Sequence, residues 1–235
     1  MPTSTQPVVP GSGAMFDRIA PRYDLLNRVI SLGLDRGWRA RAVAALDLPP
    51  DARVLDVATG TGDLAIEIAS RFPRTRVVGV DPSSRMIDVG ARKVAVGRLS
   101  DRVELVIGDA QHLAFEDASF DGVAIAFGIR NVPDRALALR EMRRVLRAGR
   151  RIVVLELAEP PDGLLGSLAQ WHVHHVVPTI GAWLSGAREY DYLQASIARF
   201  PAPAVFAAML EQAGFTHVTW SSLAFGAATL YQGVA

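Results

Sequence analysis

With 235 residues, half of them hydrophobic and 21% charged, the chain holds enough apolar material for one sizeable core, and a second domain is possible but not needed. Its 25 basic and 24 acidic residues leave a net charge of +1, without the clustered basic excess that marks a nucleic-acid binder. Cysteine is absent, which excludes disulfides and thiolate metal sites and fits a reducing, cytoplasmic setting.

The first thirteen residues, MPTSTQPVVPGSG, have neither a basic start nor an apolar run and read as a flexible tail, not a secretion signal. Residues 14–235 are expected to form a single domain. Helical spacing runs from Met15 to about Leu46, broken near Pro21 and Gly33, which gives an N-terminal helical cap over 14–50. Strands are then expected at Arg53–Val57, Arg76–Val80, Val103–Ile107, Phe120–Ala126 and Ile152–Glu156. Helices alternate with them: Gly62–Phe72, Ser84–Gly97 with Ser83 or Ser84 as its cap, and Pro133–Arg147 with Pro133 near its first turn. Repeated βα units with short apolar strands predict a parallel sheet covered by helices on both faces.

From Gly163 to Ala187 there is no Asp, Glu, Lys or Arg. This stretch reads as mostly apolar helix with a break near Pro178, within a helical insertion over 163–200. Its three histidines, Gln170 and Pro178 argue against a membrane span. A helix over Ala204–Gly214 and strands at Thr216–Ser221 and Ala227–Gln232 follow, the two strands forming an antiparallel hairpin at the sheet edge.

Ligands of open α/β sheets sit at the carboxyl ends of the strands. Asp56, Asp63, Asp81, Asp109 and Ala126–Asn131 all fall there. The most informative stretch is VLDVATGTGDLAIEIA, Val54 to Ala69, in which an apolar strand runs into a turn at Gly60 and Gly62. Gly60-Thr61-Gly62-Asp63-Leu64-Ala65 fits G-x-G-x-x-G/A, and Asp81 follows 21 residues after Gly60, so a nicotinamide or flavin enzyme is one reading. Charge opposes it, because a pyrophosphate would face the carboxylates of Asp56 and Asp63. S-adenosylmethionine carries a sulfonium, an ammonium and a ribose diol, all suited to carboxylates. Asp81 suits the ribose hydroxyls and Asp109 the adenine amine. Each acid also has a plainer reading: Asp63 as a helix N-terminal residue and Asp109 as a turn cap.

From Val54 to about Glu156 the chain resembles class I S-adenosylmethionine-dependent methyltransferases. From about Met15 onward it resembles, more narrowly, the ubiquinone/menaquinone biosynthesis C-methyltransferases. The stretches that carry this are MFDRIAPRYDLLNRVISLGLDRGW, LDVATGTGD, FGIRNVPD, RRVLRAGRRIVVLE and YDYLQASIARFP. Departures from the family pattern stand at Leu26, Asp35, Ala126, Ala158 and Arg147-Ala148-Gly149-Arg150. The resemblance implies a Rossmann-like α/β fold with a mostly parallel seven-stranded sheet and a C-terminal antiparallel hairpin. It implies S-adenosylmethionine as cofactor, contacted at Thr61, Asp81, Asp109 and Ala110, with Gly60 and Gly62 giving the close backbone approach. Tyr23 either closes over the cofactor or packs against the core.

The family methylates a ring carbon of a reduced polyprenyl quinone precursor, which needs an oxyanion stabiliser and proton removal. Arg130, at the mouth of the site after the fourth strand, is the expected oxyanion partner, with Asn131 donating to a ring oxygen. The alternative is that Arg130 forms a structural link to Asp134 or Asp109. His172 and His175 share a helical face and read either as a base or as polar lining. No metal set is expected. Leu164, Leu165, Leu168, Trp171 and Val176 suit a wall or lid for the prenyl tail, or an ordinary core helix. Peripheral membrane contact through this region and the N-terminal helices is expected. The ATGTGD turn favours demethylmenaquinol over the ubiquinone precursor. Methylation of another small molecule, a dinucleotide oxidoreductase and a non-catalytic adenosyl-ligand binder are the rival functions.

Overall fold

A computed structural model describes residues 13–158 and 187–235. Its elements in chain order are α1 (Gly13–Ile19), a 3-10 turn (Ala20–Arg22), α2 (Tyr23–Ile30), α3 (Asp35–Ala45), β1 (Arg53–Val57), α4 (Asp63–Arg71), β2 (Arg76–Asp81), α5 (Ser84–Val96), β3 (Val103–Ile107) and β4 (Phe120–Ala126). A 3-10 turn (Ile129–Asn131), α6 (Arg135–Val145) and β5 (Leu146–Leu157) follow. After the gap come α7 (Ala187–Ala198), α8 (Pro203–Gln212), β6 (Thr216–Leu223), a 3-10 turn (Ala224–Gly226) and β7 (Ala228–Val234). Among the described residues no single helix is long and apolar enough to cross a membrane. The expected apolar helix over Gly163–Ala187, with its histidines, lies almost wholly outside the described residues.

One seven-stranded sheet runs in the order β3-β2-β1-β4-β5-β7-β6. β1 to β5 are parallel to one another, and β7 pairs antiparallel with both β5 and β6. The expected hairpin is present, with its second strand placed next to β5.

Side chains alternate along each inner strand, as the two-residue strand period requires. Val54, Val77, Ala124, Val153 and Leu155 face a layer that includes Trp38 and Val43 of α3 and Ile68 of α4. Leu55, Val78, Val123, Ile125 and Val154 face the opposite layer, with Leu139 and Met142 of α6 and Phe206 and Leu210 of α8. Burial on both faces explains why these strands read as continuous apolar runs.

Two expectations change. Pro133 stands outside α6, because Asp134 is the N-cap and accepts from the Leu137 N–H at 2.8 Å. β5 begins at Leu146, six residues before the expected Ile152. Its early part is held by backbone bonds to Ala235, from the Gly149 N–H and to the Arg150 carbonyl, each 2.8 Å. As expected, Ser83 caps α5, its hydroxyl accepting from the Met86 N–H at 3.1 Å.

Candidate active site

Chain order reverses on either side of β1, with β2 on one flank and β4 on the other. This is the switch point at which open α/β sheets leave a crevice beyond the strand ends. The turn after β1 fills its floor. Gly60 and Gly62 have φ of 56° and 80°, a region open to glycine at no steric cost. Two of the ten described non-glycine residues with the same hand stand here, Ala58 after β1 (φ 52°) and Phe127 after β4 (φ 58°). The two strand ends also approach closely: a Cβ on Gly128 would lie 2.5 Å from that of Ala58.

Asp56 lies on the α4 side of the sheet and accepts from the Thr59 hydroxyl at 2.5 Å. Burial pushes its carboxyl up to about 7, against the pull of that hydrogen bond. Asp81 uses both oxygens on the turn, accepting from the Gly60 N–H at 2.8 Å and the Ser83 N–H at 2.9 Å. Burial raises its pKa as well, and the nearby charge that adds to the rise is another acid, Asp17. The cleft in front of Asp56, Gly60 and Thr61 has Tyr23, Arg39 and Phe127 on its walls.

The N-terminal helices close over this turn. The Tyr23 ring stands 3.6 Å from where a Cβ on Gly60 would be, and Phe16 meets it edge-on at 6.0 Å. Burial raises the Tyr23 phenol, while Arg130 and a hydrogen bond to Asn27 act the other way. Asp17 of α1 accepts from the Ser83 hydroxyl at 2.6 Å, and Asp24 of α2 accepts from the Thr61 hydroxyl. Tyr23, half-buried, therefore covers the Gly60 turn.

Asp63 and Arg130 have different surroundings from those expected, and Asp109 takes the plainer of its two readings. Asp63 is bound to Lys93 and lies 3.4 Å from Arg39, so two cations neutralise it. It lines the cleft as a paired carboxylate, and the charge argument rests on Asp56 and Asp81. Asp109 caps a turn, accepting from the Gln111 N–H at 2.9 Å, while its side chain stays 52% exposed beyond β3. Ala110 beside it is buried. Arg130 is not at an open mouth: its side chain is 6% exposed and paired with Glu156, which is fully buried. Its structural partner is thus Glu156 of β5, not Asp134 or Asp109. The Arg130 guanidinium also donates to the Phe127 carbonyl at 2.6 Å, and its Nε–H has no partner. Asn131 accepts from the Tyr192 hydroxyl at 3.1 Å, which ties the strand end to α7.

Sequence reasoning missed Arg39, Lys93 and Glu156. Glu156 was within reach, because it ends an apolar strand as Asp56 and Asp81 do. Arg39 stands one helical turn after Asp35, and the two are paired at 2.5 Å.

A family model described as the ubiE/COQ5 methyltransferase family matches residues 9–235. The chain belongs to that family. This ubiE/COQ5 methyltransferase is 48% identical over 93% of its length to a protein of Deinococcus radiodurans named demethylmenaquinone methyltransferase, covering 90% of that chain. It is 44% identical to the ubiquinone/menaquinone biosynthesis C-methyltransferase of Geotalea daltonii, over 93% of its own length and 94% of the relative's. Among solved structures it resembles the [4+2]-cyclase SpnF, with a TM-score of 0.71 at 17% identity over 94% of both chains. A methyltransferase of Thermotoga maritima matches at TM-score 0.64 and 20% identity, over 94% of this chain and 98% of that one. At such identities the likeness fixes the fold alone, and a cyclase on the same fold shows why.

The cofactor of this ubiE/COQ5 methyltransferase is S-adenosylmethionine. The donor set fits it. The buried carboxylates of Asp56 and Asp81 accept from uncharged donors, the Thr59 hydroxyl for Asp56 and the Gly60 and Ser83 N–H groups for Asp81. They would repel a pyrophosphate and favour hydroxyls and cations.

Proposed function

We propose that this chain transfers a methyl group to a ring carbon of demethylmenaquinol, a polyprenyl naphthoquinol. The observation that carries this reading is the family match over residues 9–235, joined to a glycine turn backed by Asp56 and Asp81. The Deinococcus radiodurans relative named for this acceptor supports the naphthoquinol over the benzoquinol. S-adenosylmethionine supplies an electrophilic methyl on a sulfonium.

Gly60, Thr61 and Gly62 give the backbone approach, Asp81 receives the ribose hydroxyls, Asp109 the adenine amine, and Ala110 lines that end. The acceptor's carbon attacks only when a neighbouring hydroxyl has lost its proton, so an oxyanion must be held. Arg130 takes that role through its unpartnered Nε–H, with Glu156 and the Phe127 carbonyl fixing the guanidinium. Asn131, oriented by Tyr192, donates to a ring oxygen. The exposed Leu25, Leu32 and Leu34 of the N-terminal cap make the peripheral membrane contact that a prenylated acceptor calls for.

The test offers the purified chain both quinol precursors with isotopically labelled S-adenosylmethionine and reads products by mass spectrometry. Label on the naphthoquinol ring alone is expected. Label on the benzoquinol alone would overturn the choice of acceptor, and label on neither would overturn the acceptor class.

A further inference from the structure

The chain contains one lysine, Lys93, among its 25 basic residues. It stands in the last turn of α5, where acceptors from three elements converge on its ammonium. Nζ donates to Asp24 Oδ2 of α2 at 2.6 Å, to the Thr61 hydroxyl of the glycine turn at 3.1 Å, and to Asp63 at the start of α4. A tetrahedral ammonium supplies three donors from one point, whereas the planar arginine fork spreads its donors in a plane. This is the place where lysine does what arginine does not. The other oxygen of Asp24 accepts from Thr61, so every bond from Asp24 to the turn passes through Thr61 or Lys93.

We propose that Lys93 is a positioning residue that latches the N-terminal cap onto the cofactor turn and sets how long the cofactor stays bound. This rests on the reading that the Gly60–Gly62 turn holds S-adenosylmethionine. Tyr23, beside Asp24, stands against Gly60 on the wall of the cleft, so lifting α2 widens the way to the turn. Lifting breaks Lys93–Asp24 and Thr61–Asp24 but leaves Lys93 on Asp63 and Thr61, ready to recapture the cap. Lys93 and Asp24 are 27% and 32% exposed. Solvent and salt therefore weaken their pair, as a contact made and broken in each turnover requires.

The test measures dissociation of S-adenosylhomocysteine from the full chain by displacement. Lys93→Gln is expected to speed release about fivefold, the scale of one partly exposed ion pair. Asp24→Asn should do the same, and the double variant should add little. KM for S-adenosylmethionine should rise more than kcat falls, and Lys93→Arg should not restore release. An unchanged release rate in a folded Lys93→Gln variant overturns the latch. A second measurement uses the wild type: an acylating reagent modifies only Lys93 among side-chain amines, and S-adenosylhomocysteine should slow that modification. Binding without protection overturns the proposal. No binding by the wild type overturns the cofactor-site reading beneath it.

Discussion

Asp56 holds its proton to about pH 7 in the folded chain because burial disfavours the charge. An unfolded aspartate releases its proton near pH 4. Between these values the folded state binds more protons, so stability falls as pH rises through that window. Asp56→Asn should flatten this slope in urea titrations run from about pH 4 to 8. The proposed sulfonium and ammonium beside Asp56 would draw the proton off. Cofactor binding near pH 6.5 should therefore release a proton, seen by calorimetry in buffers of different ionisation enthalpy and absent in Asp56→Asn. Arg130→Ala leaves Glu156 buried and unpaired and should cost about 3–5 kcal/mol of stability. Arg130→Lys retains a charge for Glu156 but loses the Nε–H. It should keep most of the fold while lowering methyl transfer at saturating cofactor by about a hundredfold, on the scale of one lost oxyanion donor. The acids at Asp56 and Asp81 were legible because each ends an apolar strand. Arg130's burial was not, since its partner lies 26 residues on and meets it only through β4–β5 pairing.

At the scale of elements, α5 approaches the Gly60–Gly62 turn through Gly90. A Cβ there would sit 2.6 Å from Leu105 Cδ1 and 3.1 Å from the Thr61 carbonyl carbon. Gly90→Ala should lower stability by about 1–3 kcal/mol and weaken S-adenosylhomocysteine binding, because backbone must move at the turn itself. The control is Asp134→Ala, which removes the α6 cap at a cost of about 1 kcal/mol without touching the turn. Thermal melts with and without ligand separate the two. Strands β1, β3 and β4 were legible to the residue from their apolar runs. The early part of β5 was not: Gly149, at φ 74°, and its charged neighbours look like a turn, and pairing of Leu146 with Phe120 and of Gly149 and Arg150 with Ala235 carries the strand across the bulge. The proximity of α2 to the turn was equally hidden, since Asp24 meets Lys93 across 69 residues.

Across the whole molecule, the N-terminal cap that covers the Gly60 turn also exposes Leu25, Leu32 and Leu34. If the cap makes the proposed membrane contact, the chain should float with liposomes. Serine at Leu25 and Leu32 should reduce that flotation while leaving S-adenosylhomocysteine binding intact. Equal flotation of the variant would place the contact elsewhere. The sheet order has a further consequence for synthesis. β7 is made after every other described strand, yet it pairs with β5 on one side and β6 on the other. Until it leaves the ribosome, β5 carries a bare, apolar edge beside the strand that bears Arg130's neighbours. A nascent chain stalled before Ala228 should thus be the species that chaperones hold and that aggregates when they do not.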